Sequence, residues 1–195
     1  MSARHRTGVA RCSLFGWVLW SSLASGSTLE STRFDFAGTQ YHYRFSARIA
    51  APMPAVRAVV NDVDQLARTN DSIRISRVLS RNADGSWVRQ LRLRQCVLVF
   101  CFDIDFVELV QEEPNGDLRT RVLPGRGNFR QGDTVWQLTP LTDGTTRMVM
   151  ESRQEPDFWI PPVIGPLIMK RTFTHEVEET IVNIERLARA HAELR

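Results

Sequence analysis

Lysine is almost missing: Lys170 is the only one among 25 basic residues, so the positive charge of this 195-residue chain is carried by arginine. Cysteine occurs three times and histidine four. Cys96 and Cys101 with scattered His42, His175 and His191 show none of the ligand spacings a four-coordinate zinc site requires. The longest apolar run, CSLFGWVLWSSLA, is about 13 residues, short of the ~20 that a bilayer span needs. No phosphate-binding loop is present, since PGRGNFRQGD neither follows the P-loop pattern nor opens a helix. Internal repeats, low-complexity tracts and interior linkers are also absent, and the chain reads as one unit. No cofactor motif is found, and nothing in the pattern specifies an oligomeric state.

That apolar run follows MSARHRTGVAR, which bears Arg4, Arg6 and Arg11 and no acid, and it precedes the small residues Ser25 and Gly26. This order is that of a secretory signal peptide. We expect residues 1–26 to be removed and residues 27–195 to form the mature domain, in the periplasm or secreted; an uncleaved anchoring segment is the alternative. Without the leader the basic residues fall to 22, equal to the 22 acidic ones. The pI near 9.1 then owes much to the leader. A neutral mature chain gives no support for nucleic-acid binding, which relies on a net basic face. Its 169 residues suit a single domain with a sizeable core.

Alternating segments TQYHYRFSARIAA, IRISRVLS, SWVRQLRLRQ, CFDIDFVELVQE, DLRTRVLP, DTVWQLTP and TTRMVMESRQ read as strands. Turn signals such as Asp84-Gly85, Asn115-Gly116 and Asp143-Gly144 separate them, and such short connections imply antiparallel neighbours. Two stretches have helical spacing: PMPAVRAVVNDVDQLARTND, and about Pro162 to Ala192, with Phe173, Val177, Ile181, Ile184 and Ala188 on one stripe. That stripe must be buried, and the sheet is its only large partner. In the last hairpin, a Thr142-Asp143-Gly144 loop pairs Leu138 with Met148 and Trp136 with Met150.

Between Ser86 and Gln111 the strand pattern runs for 26 residues, so a turn must interrupt it. A register that sets Cys96 against Cys101 also sets Arg94 against Asp103 and Arg92 against Asp105 on one face. On the other, Leu93 meets Ile104 and Leu91 meets Phe106. Directly opposed residues lie close enough for a disulfide, and an exported chain meets an oxidising compartment. We expect a structural Cys96–Cys101 bridge, with two free buried thiols as the alternative. Val97, Leu98, Val99 and Phe100 then form an apolar loop that rests on the domain, a membrane or a ligand mouth.

A strand, a helix pair, an antiparallel run and a long C-terminal helix follow the order of the helix-grip fold. The chain resembles the SRPBCC superfamily of START-like proteins, in the polyketide cyclase/dehydrase and lipid transport branch, near the coenzyme Q-binding START-like proteins. Three stretches carry this. ARIAAPMPAVRAVVNDVDQLARTNDSIRISRVL has Ile49, Pro52, Val56, Asp62 and Leu66; FRQGDTVWQLTPLTDGTTRMVMES has Gly132, Trp136 and Gly144; EPDFWIPPVIGPLIMKRTF has Pro156, Trp159, Pro161, Pro162, Gly165 and Pro166. Two departures stand out: Arg57 replaces a frequent large apolar residue, and the Trp-x-Pro common after the helix pair is missing from LARTNDSI. The resemblance implies an α+β helix-grip fold, a curved antiparallel sheet of about seven strands around the C-terminal helix. It also implies a cavity between them for a lipid, quinone or polyketide-like molecule.

The inferred inner face supplies the pocket candidates Leu93, Ile104, Phe106, Trp136, Leu138, Met148 and Met150, facing Phe173, Val177 and Ile181. Periodicity does not distinguish a lined pocket from a filled core; the resemblance implies the pocket. No catalytic constellation is legible. His175 lies about 200° round the helix from the Phe173 stripe, alternation leaves His42 pointing either outward or inward, and Glu108 and Glu151 read as ordinary outward strand charges. The primary expectation is a binding protein for an apolar small molecule. The alternatives are a cyclase or dehydratase and a module that contacts a membrane surface or envelope protein through the apolar loop. A buried His42, Glu108, Glu151 or arginine opening into a cavity would favour the enzyme.

Overall fold

The computed structural model describes residues 26–97, 100–160 and 165–193. Residues 1–25 of the expected 1–26 leader therefore lie outside the described residues, as do Leu98 and Val99 of the apolar loop and the segment 161–164. The order is β1 (Thr28–Ala37), β2 (Gln40–Ile49), α1 (Met53–Asn61), a 3-10 turn (Val63–Arg68), β3 (Ile73–Arg81), β4 (Trp87–Val97) and β5 (Phe100–Glu112). Then come β6 (Leu118–Val122), β7 (Phe129–Pro140), β8 (Thr146–Pro156) and α2 (Gly165–Glu193). All eight strands form one antiparallel sheet ordered β1-β2-β8-β7-β6-β5-β4-β3.

Eight strands replace the expected seven or so because TLESTRFDFA is also a strand. Phe34 and Phe36 alternate there with Arg33 and Asp35, and Gly38, at φ 64°, occupies the two-residue turn into β2. The first helical stretch is divided: α1 stops at Asn61, and the remainder coils into the 3-10 turn.

Both predicted hairpin registers are observed. Cys96 opposes Cys101, Arg94 Asp103, Leu93 Ile104 and Arg92 Asp105. Trp136 opposes Met150, Leu138 opposes Met148, and Gly144 takes the left-handed conformation at φ 80°. The disulfide joins Cys96 and Cys101.

The 29 residues of α2 are ~43 Å long at 1.5 Å per residue. Val177, Ile181, Ile184 and Ala188 are buried against the concave face of the sheet. At one end of this sandwich α1 contributes Val56 and Val60, which pack with Phe45, Ala47, Ile49 and Met148 into a filled core. At the other end the space between sheet and helix is open.

Candidate ligand cavity

Alternation along β4 turns Arg89, Leu91, Leu93 and Gln95 to the concave face, and their partners on β5 turn Phe106 and Ile104 the same way. With α2 above them, supplying Met169, Phe173, Glu176 and Val177, they enclose a cavity of about 740 Å³. That is within the ~300–1,000 Å³ typical of small-molecule sites.

Its walls are mostly apolar and aromatic. The ring of Tyr43 lies 4.0 Å from that of Phe173, Phe106 stacks on Phe129 at 4.1 Å, and Phe34 stacks on Tyr41 at 5.7 Å. The mouth is apolar as well. Phe102, Phe158 and Trp159 line the cavity yet remain 44%, 37% and 78% exposed. Phe102 sits just after the disulfide; Phe158 and Trp159 precede α2.

A band of polar side chains crosses the sheet at the inner end. Arg89 Nε donates to Glu108 Oε2 at 2.9 Å, Arg89 Nη2 lies 2.9 Å from the same oxygen as its ion-pair contact, and Thr120 donates to Glu108 Oε1 at 3.3 Å. Thr120 opposes Thr134, Thr134 opposes Ser152, and Ser152 opposes Tyr43. The hydroxyls of Thr134 and Ser152 lie 2.7 Å apart, and Gln154 Nε2 donates to both. Gly132 belongs to this arrangement: a Cβ there would collide with the Gln154 amide, so glycine makes room for it.

Arg89, Tyr41 and Tyr43 carry the band into the cavity wall. Arg89 and Glu108 are only 7% and 4% exposed. Burying either charge alone would cost several kcal/mol, so each requires the other. Burial pushes the Tyr43 hydroxyl up to about 12 and raises Tyr41 well above its ordinary value. Both tyrosines therefore stay protonated at neutral pH and offer hydrogen-bond donors.

Six of the ten pocket candidates line this cavity: Leu93, Ile104, Phe106, Trp136, Phe173 and Val177. The other four do not. Met148, Met150 and Ile181 are buried in the filled core at 0%, 5% and 2% exposure, and Leu138 packs against that core. They share the inner face, but α1 closes the space above them. His42 is on the outer face of the sheet, 3.2 Å from Glu151, and both are partly exposed. His175 is exposed. Glu108 corrects its reading as an ordinary strand charge: it points inward, and the alternation that placed Ile104 and Phe106 inside already required this. The same count from Leu93 and Leu91 leads to Arg89.

The sequence profile of the family described as polyketide cyclase/dehydrase and lipid transport matches residues 49–179. No curated protein matches the chain in sequence. Among solved structures, a START superfamily protein from Mycobacterium smegmatis superposes with a TM-score of 0.60 at 19% identity, covering 75% of this chain and 98% of that one. The ZhuI aromatase/cyclase from Streptomyces sp. R1128 gives 0.55 at 17%, covering 79% and 94%. The human StarD13 lipid transfer and protein localization domain gives 0.56 at 15%, covering 83% and 88%. At these identities the likeness establishes the shared fold.

Proposed function

The chain belongs to the polyketide cyclase/dehydrase and lipid transport family, and from that premise we propose that it is an exported protein that carries or sequesters one apolar molecule bearing a neutral oxygen. The observation that carries this reading is the 740 Å³ cavity, apolar along its walls and ending on a paired Arg89 and Glu108. Since the pair is neutral as a whole, its remaining donors suit a carbonyl or hydroxyl oxygen better than a second carboxylate. Export is supported by the leader pattern of residues 1–26 and by the disulfide. Membrane contact during loading is supported by the exposed rings of Phe102, Phe158 and Trp159 at the mouth.

The test is organic extraction of the purified mature protein followed by mass spectrometry. An apolar, oxygen-bearing molecule in roughly equimolar amount is expected; a protein that releases none contradicts the reading.

A second reading is a cyclase or dehydratase, favoured by one specific observation: Arg89 opens into the cavity beside two protonated tyrosines. Such donors polarise a carbonyl. The carrier reading is preferred because Glu108, the carboxylate beside Arg89, is itself held by Arg89 and Thr120 and is not free to take a proton from a molecule at that end of the cavity. Returning the extracted molecule to fresh protein separates the two: a carrier gives it back unchanged, and an enzyme converts it.

A further inference from the structure

The cavity has a second polar end that neither the family nor the apolar reading requires. Arg89 and Gln95 lie six residues apart on the same face of β4, and both line the cavity. At ~3.3 Å per residue they are separated by ~20 Å, with Leu91 and Leu93 between them.

Around Gln95 the wall is rich in acceptors. Gln95 Nε2 donates to Glu176 Oε1 at 3.4 Å, leaving its own amide oxygen as an acceptor beside that carboxylate. Ser72 lies at the same end, because its carbonyl accepts from the backbone of Arg94 at 2.8 Å. Asn70 fixes the local geometry. Its Oδ1 accepts from Ser72 N at 2.7 Å, while its Nδ2 donates to Glu176 O and to Thr180 Oγ1 at 3.1 and 3.0 Å.

One atom in this cluster is unused. Ser72 Oγ is buried and has no hydrogen-bond partner among the described residues, although Ser72 is 9% exposed and lines the cavity. A buried hydroxyl without a partner costs free energy comparable to a lost hydrogen bond, and Ser72 belongs to the cavity wall, where a bound group would supply one.

We infer that the cavity is built for a ligand polar at both ends: an elongated apolar molecule with an oxygen acceptor at Arg89 and, ~20 Å away, a hydroxyl held by Ser72, Gln95 and Glu176. This rests on the ligand-binding reading above and adds the second group and its spacing. The two ends differ in sense. Arg89 presents donors and the outer cluster presents acceptors, so a ligand with one carbonyl end and one hydroxyl end enters in a single orientation.

The test uses a matched pair, methyl palmitate and methyl ω-hydroxypalmitate, each displacing an apolar fluorescent probe from the purified protein. The ω-hydroxyl ester is expected to bind ~10-fold more tightly than the parent, the factor that one well-made hydrogen bond supplies. Ser72→Ala should remove that factor while leaving methyl palmitate unaffected, and Gln95→Leu should reduce it. Equal or weaker binding of the ω-hydroxyl ester overturns the second subsite and leaves the cavity reading intact. An advantage that survives Ser72→Ala also overturns it. Failure of the probe and both esters to bind overturns the ligand-binding reading itself.

Discussion

The two ends of the space between α2 and the sheet are built from the same alternating strands, yet one is filled and the other hollow. At the filled end Ile49, Val56, Met148, Ile181 and Ala188 are each at most 2% exposed. At the hollow end Leu91, Leu93, Ile104, Phe106 and Phe173 are only partly buried and face a cavity. The difference comes from α1, whose Val56 and Val60 pack into the filled end. Burial at the filled end is packing, whereas at the hollow end it awaits a guest.

The largest expected effect is at the boundary between them. Arg89→Met leaves Glu108 buried and uncompensated, and urea unfolding should show a loss of ~3–5 kcal/mol. The double variant Arg89→Met with Glu108→Met should recover most of it. A single variant as stable as the parent would show that the pair is not buried as described.

Next comes a direct contrast of the two ends. Met148→Ala removes atoms from a filled site and should cost ~2–5 kcal/mol, because the vacancy it leaves collapses only partly. Leu93→Ala enlarges an existing cavity and should cost at most about 1 kcal/mol. Equal losses in chemical denaturation would erase the distinction.

These two positions also show how much was legible in the sequence. Alternation assigned Met148 and Leu93 to the same face, and charge matching fixed the registers of both hairpins, including Cys96 opposite Cys101. Period alone carries no information about depth along a strand or helix, so it does not separate Met148, Met150 and Ile181 from the residues that line the cavity. Strand β1 is hard to read from alternation because its charges, Glu30, Arg33 and Asp35, do not keep one period and a register shift falls between Leu29 and Ser31. Arg89 and Glu108 are within reach of the same register, since counting in twos from Leu93 and Ile104 leads to both, but a lone strand carboxylate reads as an outward charge until its arginine partner is set opposite it.

A smaller effect is expected in alkali. Tyr43 has its hydroxyl raised to about 12 by burial, from an ordinary value near 10. The unfolded chain therefore loses its proton first. The contribution is fully present below pH 10 and is lost as pH rises towards 12, amounting to roughly 2–3 kcal/mol. Tyr43→Phe should flatten that part of the stability profile; an unchanged slope would place the titration elsewhere.

An effect of about the size of the tyrosine's, or slightly smaller, belongs to the disulfide. It closes a loop with a sequence separation of only 5, so Cys96→Ser with Cys101→Ser should cost about 2 kcal/mol in the chain-entropy model. Thermal unfolding of oxidised and reduced protein checks it. A larger loss would mean that the hairpin tip supports the cavity as a whole.

The claim that one end is hollow for a ligand is tested most directly by titrating an apolar fluorescent probe into the parent protein and Leu93→Trp. The substitution should obstruct the cavity midway between Arg89 and Gln95 without entering the packed end. The parent should bind one equivalent, and the folded variant should bind at least ~10-fold more weakly, about 1.4 kcal/mol. Equal binding by the two would contradict the account.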